Sequence, residues 1–287
     1  MRIIAYDFLN FKATIPMEQA HLGPPVLVTG GTGHLGRDIV EQLLRRHRRV
    51  RVLARTPGDD PRVEWARGDL ATGEGLREAL AGVGAVVHAA TSSPIARRGG
   101  VRPIDFFKTP RDVDIDGTRR LLGESRRAAV DQFLFVSIAG LAPDNPLPYN
   151  RVKLEAESLV RGSDVPWSIV SAAPFYYLLA RLLHGIRWMP WWWLPDAPMQ
   201  PVDTADVAAR IVECVEQRKP GVLEEIGGPE AKAFPHLAQD YLEARGLRRR
   251  VLRFRLSDAK ARRMGFAATS GRTGSLTWRE WLSTHGD

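Results

Sequence analysis

Three residues of this chain have types and spacing suited to moving a proton: Ser137, Tyr149 and Lys153. Ser137 closes an apolar run, Phe133-Leu134-Phe135-Val136-Ser137, and Tyr149 and Lys153 follow within the stretch YNRVK. On a helix, residues four apart share a face. A lysine one turn from a tyrosine lowers the phenol pKa by the proximity of positive charge. Such a phenol can give or take a proton at a carbonyl or hydroxyl while a hydride moves, and Ser137 can hydrogen-bond the same oxygen. Lysine is sparse here, since the basic residues are nearly all arginine, so the pairing stands out. An ordinary amphipathic helix would carry the same spacing.

A hydride needs a carrier, and the stretch Val26 to Arg37, VLVTGGTGHLGR, has the form of a carrier site. Val26, Leu27 and Val28 read as a buried strand, and Ile39, Val40, Leu43 and Leu44 have helical spacing. Between them lies a turn with Gly30, Gly33 and Gly36 in a G-x-x-G-x-x-G pattern. Strand, glycine turn and helix together present backbone N–H groups at a helix N-terminus, where the dipole favours an anion. The usual occupant is a dinucleotide pyrophosphate, held here by Gly30, Thr32, Gly33, His34, Leu35 and Gly36.

Further positions extend that site. An enzyme that prefers NAD usually ends its second strand in an acid that accepts from the adenosine ribose. This chain has Arg55, which suits a 2′-phosphate, so NADP(H) is expected to be preferred, with NAD(H) still possible. Asp69 can accept from the adenine amine, with Leu70 against the ring. Ala89, Ala90 and Thr91 are small enough to let the backbone approach a ribose. His88 reads as a packed strand residue rather than a catalyst.

The elements that must position these groups alternate. Strands are predicted at Val26–Val28, Val50–Ala54, Val63–Ala66, Ala85–His88, Phe133–Val136 and Trp167–Val170. Helices are predicted at Arg37–Arg46, Leu76–Leu80, Asp112–Ala129 and Tyr149–Val160, and residues 92 to 110 are predicted to be a loop. Alternating β and α with apolar strands implies a Rossmann-type α/β fold, a doubly wound parallel sheet covered on both faces, with ligands at the carboxyl ends of the strands. From Pro174 the order loosens. Helices are expected at Phe175–Gly185 and Asp203–Arg218, a strand at Val222–Ile226, then two more helices and a basic strand, Arg249–Phe254. Trp188–Trp193 is aromatic and interrupted by Pro190.

Composition narrows the classes. Of 287 residues, 44% are hydrophobic and 26% charged, which is ordinary for a globular protein. The net charge of +8 comes from scattered arginines without a nucleic-acid motif, so no nucleic-acid partner is expected. Cys214 is the one cysteine, within an apolar helical run, so packing is expected of it and a reducing, cytoplasmic setting of the chain. No stretch reaches the roughly twenty apolar residues of a membrane span, and no metal-ligand cluster is apparent. Residues 1–24 do not read as a signal peptide.

With those residues in view, the chain resembles the short-chain dehydrogenase/reductase superfamily in its atypical, extended NmrA-like branch. The resemblance rests on TGGTGHLG (Thr29 to Gly36), Gly68-Asp69-Leu70, His88-Ala89-Ala90, Asp116-Gly117-Thr118, Val136-Ser137 and Tyr149 with Lys153. It runs from about Pro25 to the C-terminus and takes in Gln200-Pro201-Val202-Asp203 and Gly227-Gly228-Pro229. It implies a Ser137, Tyr149 and Lys153 catalytic set, with Lys153 also on the nicotinamide ribose. Two positions depart from the pattern. Asp114 stands where many members carry Asn on the fourth helix, and Ser171 where relatives often have Arg. Ala173, Pro174 and Phe175 are then left to line the nicotinamide pocket. Trp188, Trp191, Trp192 and Trp193 fall where this family places its substrate lobe, and they can wall a pocket for a flat apolar substrate or pack the lobe or a subunit interface; a membrane-surface role ranks third, since no amphipathic basic helix surrounds them, and no membrane partner is expected. The division expected is an arm at 1–24, a core at 25–172, and a small C-terminal substrate lobe at 173–287 completing the same domain.

The function implied is NAD(P)H-dependent oxidoreduction of a carbonyl, enone or quinone-like group on an apolar small molecule, by a monomer or homodimer. A redox-neutral cyclase, isomerase or lyase, or a non-catalytic NADP-binding regulator, would use the same fold.

Overall fold

Four consecutive fully enclosed residues, Val26–Thr29, form β1 at the middle of a sheet. It pairs in parallel with β2 (Val50–Ala54) on one side and β4 (Ala85–His88) on the other. The computed structural model describes residues 23–92, 111–145, 147–256 and 271–285. Beyond β2 lies β3 (Glu64–Arg67), and beyond β4 lie β5 (Gln132–Ile138) and β6 (Trp167–Ala172). Three strands from the C-terminal part extend the sheet: β9 (Gly221–Val222) and β10 (Glu225–Gly227) on β6, and β13 (Gly271–Thr273) on β10. The order is β3-β2-β1-β4-β5-β6-β10-β13, every pairing parallel. It reverses direction between β1 and β4, the point at which such sheets open a crevice for a ligand.

Helices cover both faces because the strands are apolar on both. On one face α1 (His34–Arg45) lays Leu35, Ile39 and Leu43 beside Val207, Ile211 and Val215 of α6 (Thr204–Glu216). Cys214 is fully buried in this layer, as its setting predicts. On the other face α2 (Leu76–Leu80), α3 (Thr118–Arg127) and α4 (Pro148–Arg161) pack Leu80, Leu121, Val152 and Val160 against Phe133 and Ile169.

The lobe has its own core. Between α5 (Tyr176–Gly185), α7 (Phe234–Ala244) and α8 (Trp278–Thr284) lie Leu179, Leu183, Trp192, Leu237, Tyr241 and Trp278. Two small sheets finish it: a parallel ribbon of β7 (Trp191–Asp196) with β12 (Arg250–Arg255), and an antiparallel pair of β8 (Pro198–Met199) with β11 (Lys232–Ala233).

Three elements differ from expectation. The helix predicted from Asp112 opens instead as a π-helix, Asp112–Gly117, before α3 begins. Its wider turn brings Gly117 against Leu70, where a Cβ would sit 3.0 Å from Leu70 Cβ. The strand expected at Val222–Ile226 splits into β9 and β10. The indole segment forms the strand β7. The N-terminal arm to residue 22 and most of the loop predicted at 92–110 lie outside the described residues.

Candidate active site

The glycine turn after β1 is set by contact with β4. Gly30 has φ +76°, and a Cβ there would meet Ala90 at 2.8 Å. At Gly36 a Cβ would come 2.0 Å from the Gly30 carbonyl oxygen, so only glycine lets α1 start this close to the strand. Gly33 is less constrained, meeting only that same oxygen at 3.3 Å. Its N–H donates to Gly30 O at 2.9 Å, and its own carbonyl accepts from Arg37 N. The first N–H groups of a helix have no intrahelical partner. Here no side chain caps them and no acid occupies the first turn. An anion is therefore the fitting occupant.

The flanking positions are as follows. Thr32 and His34 are exposed at the turn, whereas Leu35 is buried in the core. His34 stacks on Tyr177 at 4.1 Å, and Tyr177 stacks on Phe175 at 5.8 Å, so the glycine turn and the segment after β6 meet through a tyrosine that sequence reasoning did not single out. Burial, with Arg181 and Arg37 nearby, lowers the His34 pKa. Arg55 is exposed just past β2, with no ion pair among the described residues. Asp69 Oδ1 accepts from Ala71 N at 2.8 Å, closing a tight turn. Leu70 is turned into the core beside Leu76 and Ile115. Ala89 and Ala90 donate to Thr29, through its carbonyl and its hydroxyl. Ala173 is buried and donates to Ile226 O, while Pro174 and Phe175 stay partly open.

At the carboxyl end of β4 a polar chain converges. Thr91 Oγ1 donates to Asp114 Oδ1 at 2.9 Å, and lies 3.1 Å from the Tyr149 hydroxyl. Since the single hydroxyl proton of Thr91 goes to the carboxylate, the phenol is the donor in the second bond. Asp114 also accepts from Ser92 N at 2.9 Å and Ser92 Oγ at 3.1 Å. Lys153 Nζ lies 3.6 Å from Asp114 Oδ1, donates to Val136 O at 3.2 Å, and sits 4.7 Å from the Phe135 ring centre. The i, i+4 pair is thus on one face of α4, with a carboxylate interposed.

That carboxylate reverses one expectation. Burial, and then the charge of Asp114, push the Tyr149 pKa up rather than down. The lysine charge is spent on Asp114, and the phenol keeps its proton.

Ser137 is not brought to the phenol. Its hydroxyl donates to Glu157 Oε1 at 2.5 Å, one turn of α4 beyond Lys153, and Glu157 Oε2 accepts from Arg161. Thr91 takes the position beside the phenol that Ser137 was expected to hold.

His88 anchors this assembly from beneath. Thr118 Oγ1 gives its proton to Asp114 O at 2.7 Å, so His88 Nε2–H donates to Thr118 at 2.9 Å, and Nδ1 accepts from Thr29 at 2.7 Å. Burial, with Lys153 nearby, pushes the His88 pKa down to about 3, so the ring is neutral. As the sequence suggests, it is a packed residue; it ties the π-helix holding Asp114 to β1.

The four indoles divide. Trp192 is in the lobe core and donates to Ile186 O at 3.0 Å, so it packs and does not line a pocket. Trp188, Trp191 and Trp193 are exposed. β7 alternates as any strand does, which sends Trp192 inward and its neighbours outward. Among the described residues no cluster of His, Cys, Asp and Glu could hold a metal ion.

Residues 30–218 match the model of a family described as NAD(P)H-binding. This chain belongs to that family. The NAD(P)H-binding match spans the glycine turn, the Asp114 π-helix, Tyr149 and Lys153. Among its relatives is the sterol demethylase protein B of Methylococcus capsulatus, 39% identical over 125 residues, covering 42% of this chain and 36% of the relative. Another is the chloroplastic divinyl chlorophyllide a 8-vinyl-reductase of Zea mays, 30% identical over 238 residues, covering 75% and 57%. The chain therefore spans only part of the curated relatives it matches. A short-chain dehydrogenase/reductase superfamily protein of Agrobacterium tumefaciens, solved with bound NAD, superposes with a TM-score of 0.68 over 91% of this chain and 95% of that one, at 23% identity. The fold is thus that of the short-chain dehydrogenase/reductase superfamily, and the cofactor class is NAD(P)(H). Among the described residues no helix is long and apolar enough to cross a membrane.

Proposed function

We propose that this chain is an NAD(P)H-dependent reductase acting on a carbonyl, enone or quinone-like group of an apolar small molecule, with NADP(H) preferred. The observation that carries the reading is the hydrogen-bonded chain from Tyr149 through Thr91 to Asp114, at the point where the sheet order reverses. A reduced nicotinamide, when bound, supplies a hydride. The substrate oxygen or carbanion that this creates needs a proton, and Tyr149 is the group that holds one. Its raised pKa keeps the phenol protonated across neutral pH, the form that donates. To do so it leaves Thr91 for the substrate. Lys153 and Asp114 form a buried pair beside it, and the Asp114 charge holds the proton on the phenol until the substrate takes it. Lys153 also has an N–H to spare for a ribose hydroxyl. Arg55 is free to meet a 2′-phosphate in a charge-assisted contact. The names of two relatives speak of a sterol and a chlorophyllide, both largely apolar polycycles, which fits a flat apolar substrate.

Tyr149→Phe tests the reading. NADPH oxidation is followed against a panel of apolar ketones, enones and quinones. The variant is expected to keep its cofactor affinity and melting temperature while kcat falls by roughly 10²–10⁴-fold, the range for an acid–base group. In the wild type, reduction should be flat with pH through neutrality, and oxidation should still be rising at pH about 10, the ordinary phenol value. Full turnover by the phenylalanine variant would remove Tyr149 from the chemistry.

A further inference from the structure

Among the described residues five large apolar side chains stand exposed, and four of them are together on or beside the β7–β12 ribbon: Trp188 at 76%, Trp191 at 54%, Trp193 at 65% and Phe254 at 41%. Their grouping follows from the register. β12 pairs with β7 in parallel, so Arg250 lies beside Trp191, Leu252 beside Trp193 and Phe254 beside Pro195. Alternation then gives the ribbon two faces. Trp192 and Leu194 turn onto α7 and the lobe core. Trp191, Trp193, Leu252 and Phe254 make the other face. Arg249 Nε donates to Arg187 O at 2.8 Å and Arg250 N to Pro190 O at 3.1 Å, which draws the Trp188 connection to the same edge.

The charge here is one-sided. Residues 187–196 and 247–256 hold six arginines, 187, 248, 249, 250, 253 and 255, against one acid, Asp196. Arg250, beside Trp191 on the outer face, and Arg253 and Arg255, which the register with Leu194 and Asp196 puts on the opposite face, are exposed and make no ion pair among the described residues. A groove of about 620 Å³ opens at the ribbon edge between Trp191, Leu242, Leu247, Arg248, Arg249 and Arg250.

We propose that the outer face of the β7–β12 ribbon docks this protein on an anionic lipid bilayer surface, with the indoles at headgroup depth and the arginines on lipid phosphates. Indoles are amphipathic and favour that boundary, and guanidinium groups hydrogen-bond phosphate in pairs. Surface patches of this kind mark an interaction site. A basic amphipathic helix is the usual sequence signal for such docking. Here the same chemistry is carried by a strand ribbon whose two halves are far apart in sequence. An apolar face that sets Leu252 and Phe254 beside the indoles favours a bilayer, which buries aliphatic and aromatic side chains alike, over a single-stranded nucleic acid, whose bases stack on rings alone.

The test is co-sedimentation of the full chain with vesicles of phosphatidylcholine containing phosphatidylglycerol, beside phosphatidylcholine alone. The wild type should bind the anionic vesicles preferentially, less so as salt rises, with a blue shift of tryptophan emission and quenching by brominated acyl chains. The double variant Trp191→Ser, Trp193→Ser should keep its melting temperature and lose affinity by about tenfold per indole. Arg250→Gln should lose about fivefold, and only on anionic vesicles. The quenching needs no variant and decides the matter if the serines disturb folding. Absence of binding, or equal binding by the double variant, would overturn the proposal. So would displacement of the protein from vesicles by an oligothymidine that needs the same two indoles. Self-association through Trp191 and Trp193 without vesicle binding would assign the face to a second copy instead.

Discussion

The carboxyl end of β4 and the outer face of the β7–β12 ribbon treat their side chains in opposite ways. At the first, five side chains and two backbone groups are joined in one largely buried network: Tyr149 to Thr91, Thr91 and Ser92 to Asp114, Asp114 beside Lys153, and Lys153 to Val136 O. At the second, three indoles and a phenyl ring lie open among unpaired arginines. A buried polar network is tolerable only when its members are satisfied, so its closure reports work done inside the molecule. Exposed apolar area does nothing for folding, so its concentration on one face reports work done at the surface. With chemistry proposed for the first and contact for the second, the two regions should fail separately.

The largest effect that would test this separation lies within one strand. Trp192→Ala removes a buried indole and should cost about 3–5 kcal/mol of stability. Trp193→Ala, its exposed neighbour, should stay within about 0.5 kcal/mol. Denaturant midpoints for the two variants measure the contrast, and equal losses would mean that the outer face is packed after all.

The next effect concerns the base of the network. His88 is neutral in the folded chain, with its pKa down at about 3, whereas in the unfolded chain it titrates near 6.5. Its contribution to stability is therefore complete above about pH 6.5 and is lost as pH falls toward 3, because the unfolded state takes up the proton first. The melting temperature should drop across that window, and His88→Gln should flatten the slope while leaving vesicle binding intact. An unchanged slope would place the acid sensitivity elsewhere.

The smallest effect is at Arg55. Being exposed, it should leave the melting temperature unaltered on replacement by alanine, while NADP(H) affinity falls by about tenfold or more, as for a charge-assisted bond, and NAD(H) affinity holds. Calorimetry with both cofactors measures this, and equal losses for the two would show that Arg55 does not read the 2′-phosphate.

How much of this was legible in the sequence depends on how local the signal is. β2, β4 and α2 fall where apolar runs and turn residues put them, because each is written in consecutive residues. The glycine turn and the Tyr149–Lys153 pair are local in the same sense. The role of Asp114 was not, although its departure from the family pattern was visible. Its partners Thr91 and Ser92 come from one other segment and Lys153 from a second, and only the fold shows that it stands between the lysine and the phenol. Ser137 closes its strand as expected, but the chain cannot say in advance that Glu157 will take its proton. β7 was hidden for another reason. Pro190 reads as a strand breaker, yet it stands just before β7, and a two-stranded ribbon tolerates proline at its margins. Its partner β12 was visible as a basic strand, with nothing to show where it pairs.

One feature of the lobe bears on how the chain is made. The first six strands of the sheet arise in order from residues 26–172, so their pairings can form as the chain leaves the ribosome. The lobe core cannot. Tyr176 is closed in by Trp278 and Trp281, and its hydroxyl donates to Leu276 O, a hundred residues downstream. Closing so long a loop is slow, because its entropy is lost before the contacts form. Until Trp278 and Trp281 arrive, Tyr176 lacks two of the rings that enclose it, so the lobe core closes later than the first six strands.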